Sequence, residues 1–203
     1  MKYTKEQLLA HKPCSAGLAY AESMNFDFKK IYDEYNVPCH LAWLLEKSGN
    51  MKLKEALILS IIFAKQVLPI FDKHKIGDTI PKKIVELAEQ MLSFEITPES
   101  LKRNIFILNY IRTQYRIAAR NLLRVPWHDT TTATDYATYT IIHTARAAEA
   151  YFLLKEEVCT ICATGAILAA SFAIVRHVTE DAHEEILINL SNKIRETIPN
   201  PFN

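Results

Sequence analysis

The stretch Ala133–His177, ATDYATYTIIHTARAAEAYFLLKEEVCTICATGAILAASFAIVRH, decides the fold. Small residues recur through its first half at Ala133, Ala137, Thr140, Thr144 and Ala147, ending in Tyr151. They recur through its second half at Cys159, Cys162, Ala166, Ala169 and Ala173. Steps of three and four belong to one face of a helix, not to a strand. The link Lys155-Glu156-Glu157 between the halves is short, which makes the two helices antiparallel neighbours. Their small side chains allow the axes to approach toward the short end of the usual spacing, about 8–10 Å. Residues 158–175 carry no charge over 18 positions, the lower limit for a membrane span. Their Ala, Thr, Cys, Ser and Gly content gives little drive for insertion, so the reading is a buried central helix and no membrane contact.

Working outward, the same period runs through the whole chain. Four glycines in 203 residues, and no Asn-Gly or Asp-Gly dipeptide, leave no hairpin signal. Thr4 with Gln7 reads as a capping box for a short first helix. Pro13 opens a second, and Asn25 or Asn36 separates the next short ones. Ser48-Gly49-Asn50 is a stop. A long apolar helix follows from about Met51 to Phe71, kinked or ended near Pro69. Pro81 starts another, to about Phe94, and Thr97 caps one that reaches about Arg124. Helices over about 133–155, 158–177 and 180–198 complete an all-α, single-domain array of about eight to ten helices covering residues 1–203.

Composition narrows function mostly by exclusion. Hydrophobic residues make up 49 % and charged residues 23 %, values of a folded chain rather than a disordered one. Lys+Arg is 24 against 23 Asp+Glu, a net charge of +1. Neither a DNA coater nor an acidic DNA mimic has that balance. No apolar run of signal-peptide type opens the chain, and with four cysteines in a chain too large to need disulfides the expected location is the cytosol.

The most informative face lies on the helix from Thr97. Leu101, Ile105, Leu108, Tyr115, Ala119 and Leu122 form its apolar side, and the spacing sets Arg112 in the middle of it. Arg116, Arg120 and Arg124 follow at steps of four and rotate toward the polar side. Like charges at that spacing repel by about 0.2–0.5 kcal/mol per pair, and a buried guanidinium needs a partner. An acidic neighbouring helix, through Glu86, Glu89 or Glu149, is one answer. An anionic ligand or an acidic partner protein is a second, and nucleic acid a weaker third. Trp127, in the loop after Pro126, either packs or anchors an interface.

Catalytic signals are scarce. Cys159-Thr160-Ile161-Cys162 lacks the βαβ context of a redox motif and a second pair for zinc, so core packing is its reading. The seven histidines form no H-E-x-x-H, and His143 reads as a satisfied helix residue. No phosphate loop, dinucleotide fingerprint or nucleophile elbow occurs. The expectation is no enzyme, no cofactor and no metal. An enzyme would require a Cys or His to meet partners that converge only in space.

One ordered set of features has a likeness. Cys14-x-x-Gly17 is followed by the aromatic Tyr20, then Trp43-Leu44-Leu45 before Gly49, then a long apolar helix and Ala-rich helices with scattered arginines. From about Leu9 to Ile198 the chain resembles a bacterial and phage family of all-α immunity proteins from polymorphic-toxin loci. The resemblance implies a cytosolic protein that neutralises a toxin by binding it. Cys14, Gly17 and Trp43 match the family motif, and physically they read as structural. The arginines and Trp127 are then the expected partner-binding residues. The alternative is a helical protein binding a small molecule or nucleotide, a phage factor counteracting host defence, with a pocket lined by Arg112 and Arg116.

Overall fold

The computed structural model describes residues 3–74, 79–94 and 133–202, together with the helical positions Glu99, Phe106, Asn109, Tyr110, Arg112, Thr113, Arg116, Ile117 and Arg120. Arg124, Trp127 and the proposed Thr97 cap lie outside the described residues. The elements are α1 Lys5–Ala10, α2 Ser15–Ser23, α3 Phe28–Glu34, α4 Pro38–Lys47, α5 Leu53–His74, α6 Ile80–Ser93, α7 Ala133–Phe152, α8 Glu156–His177, a 3-10 turn Glu180–Ala182 and α9 His183–Thr197. No strand occurs among the described residues, and the fold is an all-α array.

Local chemistry sets the ends. Thr4 and Gln7 form the reciprocal capping box that opens α1. The α2 helix begins at Ser15 rather than at Pro13, because Cys14 serves as its N-cap. Gly49, at φ +69°, closes α4 with paired turn bonds from Gly49 N–H to Glu46 and from Asn50 N–H to Leu45. Pro69 neither ends nor stops α5, which continues to His74. The lost backbone bond is offset by burial of Val67, Ile70 and Phe71 around it.

Helices α5, α7 and α8 form the central layer, with α6 packed on α5 and α7, and α4 and α9 on the other side. The predicted antiparallel pair is present, and its small-residue stripes are buried: Ala137, Thr140, Thr144 and Ala147 on α7, and Cys159, Ala166 and Ala173 on α8. Thr144 donates to the Ser60 carbonyl of α5 at 3.1 Å, and Cys159 Sγ donates to Ala147 O at 3.3 Å. The pair turns through Leu153-Leu154-Lys155, earlier than the charged link predicted. By length and composition α8 could cross a membrane, yet 56 % of its most apolar window is buried against the other helices.

A second apolar cluster joins α1 to α4 through Tyr3, Leu8, Ala21, Phe28, Ile31 and Leu44. Tyr35 and Phe202 pack against both clusters. Arg195 of α9 locks this region: its guanidinium donates to the carbonyls of Tyr32 at 2.8 Å and Tyr35 at 2.7 Å, and to Asn36 and Asn192. Tyr32 Oη donates back to Ile198 O at 2.6 Å.

Candidate functional site

Two places collect chemistry. The first is the arginine face. Arg112 is half-buried, not fully buried as its place on the apolar face predicted. Its answering acid is Glu149 of α7, one of the three acids expected. Glu149 Oε1 accepts from Arg112 Nε at 3.3 Å and Nη2 at 3.1 Å, and from Arg116 Nε at 3.0 Å. Arg116 Nη2 also pairs with that oxygen, and Arg112 lies 5.7 Å from the Phe152 ring centroid. Burial works to raise the Glu149 carboxyl, but the hydrogen bonds and charges of Arg116 and Arg112 outweigh it and hold it below the usual carboxylate range.

One carboxylate does not neutralise this place. Arg112, Arg116, Glu149, Arg146 and Lys155 line one recess of about 560 Å³. Arg146 is exposed, and neither it nor Lys155 forms an ion pair among the described residues. Among the described residues, four cations thus face a single acid. Leu153 and Val158 beside them are 38 % and 46 % exposed. Arg120 is exposed as well. Arg146 and Lys155 carried no sequence signal, since they sit on a different helix and in a turn.

The second place is assembled by the motif residues. Cys14, Gly17 and Trp43 line one cavity of about 410 Å³ with His40 and Tyr35. Its walls are apolar, from Leu8, Phe28, Ile31, Leu44, Leu168 and Phe172. Cys14 Sγ lies 3.3 Å from His40 Nε2, and His40 Nδ1 lies 2.7 Å from Tyr35 Oη. Tyr20 stacks on Tyr35 at 3.9 Å between centroids. Gly17 N–H donates to Cys14 Sγ at 3.4 Å. A Cβ on Gly17 would meet that sulfur at an ordinary 3.4 Å, so backbone crowding does not demand the glycine. Burial lowers the His40 pKa, which keeps the ring neutral at pH 7. Burial, with the neighbouring Cys14, Cys39 and Tyr20, pushes the Tyr35 hydroxyl up to about 12.

The remaining candidates resolve simply. Cys159 is buried, and its thiol is pushed up to about 12 by burial and then by Cys162 and Glu156, which suits packing and disfavours thiolate chemistry. No group of three His, Cys, Asp or Glu fit for a metal occurs among the described residues. His143 departs from its expected satisfied state: its Nδ1 is buried with no hydrogen-bond partner among the described residues. No family model matches the chain, and no curated protein or solved structure does.

Proposed function

We propose that this chain is an inhibitory binding protein of the immunity type, acting in the cytosol, that docks an acidic surface of a partner protein. The observation that carries the reading is the surplus of Arg112, Arg116, Arg146 and Lys155 over Glu149 among the described residues, beside the exposed apolar side chains Leu153 and Val158. Charge steers and orients an encounter, and desolvated apolar contacts hold it. Arg120 extends the positive edge, and Arg124 and Trp127 follow it in sequence. The resemblance around Cys14, Gly17 and Trp43 points the same way.

The test is co-expression with the toxic product encoded in the same locus. The chain restores growth and binds that product with an affinity that falls steeply with salt. The triple reversal Arg116→Glu, Arg120→Glu and Arg146→Glu abolishes both, while its circular dichroism spectrum stays that of the parent. Protection by the reversed variant, or none by the parent, overturns the reading.

A second reading rests on the same recess. A volume of about 560 Å³ with four cations suits a small anionic ligand such as a nucleotide. A rise in melting temperature with nucleotides, lost in Arg116→Ala with Arg146→Ala, favours it over the docking of a protein.

A further inference from the structure

We propose that Cys14 is an S-acylation site: its thiol accepts a medium-chain acyl group from a thioester donor and the chain lodges in the apolar cavity beside it. Four observations meet at this point. With the His40 proton on Nδ1, donated to Tyr35 Oη at 2.7 Å, Nε2 presents a lone pair to the Cys14 Sγ–H at 3.3 Å. The Gly17 N–H at the start of the nine-residue α2 donates to the same sulfur, which holds it at the helix end beside His40. Cys14 is itself exposed, so a donor reaches it from solvent, while the cavity of about 410 Å³ behind it has the size of a site for a small apolar molecule. Thr164, half-buried, lines that cavity, and its Oγ1 has no hydrogen-bond partner among the described residues.

The step balances without a co-reactant beyond the thioester. The Cys14 sulfur attacks the acyl carbon, its proton passes to His40 Nε2, the new S–acyl bond forms and the donor's C–S bond breaks. The departing thiolate takes the proton from His40, and nothing is oxidised or reduced. The titratable groups on the cavity are Lys12, Cys14, Tyr35, Cys39 and His40, with Tyr20 stacked behind Tyr35. Burial pushes the Cys39 thiol up, which disfavours thiolate chemistry there.

Incubation of the full chain with decanoyl-coenzyme A, read by intact mass and peptide mapping, tests this. One acyl group appears, on the peptide that holds Cys14, and neutral hydroxylamine removes it. Cys14→Ser abolishes it. His40→Gln slows it about 100-fold, and Tyr35→Phe, which removes only the hydroxyl, also slows it. In the parent the rate holds from about pH 8 to 6.5, where a lone thiol loses about tenfold per pH unit below its pKa of about 8.5. If His40→Gln fails to fold, the Tyr35→Phe rate and the parent's pH profile decide. No acylation, acyl groups spread over Cys39 and lysines, or a rate that follows the lone-thiol pH profile overturns the proposal.

Discussion

Glu149 faces two guanidinium groups and accepts from both with the same oxygen. Its carboxyl titrates lower in the folded chain than in the unfolded one, where the pKa is about 4.3. The stability it contributes is therefore present above that value and is lost as pH falls through the folded pKa. Glu149→Gln lowers stability at pH 7 by about 1 kcal/mol, since the pair is part-exposed and screened. The gap between variant and parent narrows below about pH 4, and melting curves from pH 3 to 7 check it. A gap that stays constant over that range contradicts the pairing. Arg112 was readable as a residue needing an acid, because its spacing sets it among leucines. Which of Glu86, Glu89 and Glu149 answers was not readable, because that depends on which helix packs alongside.

At the scale of the helices, three chain reversals use the same paired turn bonds with different residues in the left-handed position. Gly49 occupies it after α4, Asn25 after α2 and Leu154 after α7, at φ +54°. Glycine is free there and asparagine tolerates it, so the first two reversals are legible as breakers. Leucine carries no such signal, and the end of α7 was placed late for that reason. The α7–α8 seam holds a second hidden feature. A Cβ built on Gly165 would lie 2.8 Å from His143 Cε1 and Nδ1, so the absent side chain is what lets the imidazole lie against α8. In an open helix Gly→Ala gains about 1 kcal/mol. Here overpacking of about 1–3 kcal/mol outweighs it, and Gly165→Ala lowers the melting temperature. In a His143→Ala background the same change raises it, and that reversal of sign in a double-mutant cycle is the measurement. A destabilisation that persists without the ring excludes this contact as the cause.

At the scale of the molecule, Arg195 of α9 reaches back 163 and 160 residues along the chain to the end of α3. Arg195 satisfies the carbonyls of Tyr32 and Tyr35 at the end of α3, and Tyr32 and Tyr35 belong to the packing of the two apolar clusters. Arg195→Ala leaves both carbonyls without this donor. It costs about 1.5–3 kcal/mol or more, and it lowers hydrogen-exchange protection in α3 before that in α5. Uniform loss of protection would place the damage in the central layer instead. Arg195 went unremarked in the sequence because a single arginine near a chain end has no periodic context.

Apolar period, caps and breakers act within a few residues, so residue order alone was enough to write down an all-α array and the antiparallel pairing of α7 with α8. The meeting of Cys14, Tyr35 and His40 spans α2 to α4, and that of Arg112, Arg116, Arg146 and Lys155 crosses separate elements. Neither is encoded by spacing. Each follows from how apolar faces pack against one another, which brings polar groups from distant segments within hydrogen-bond reach.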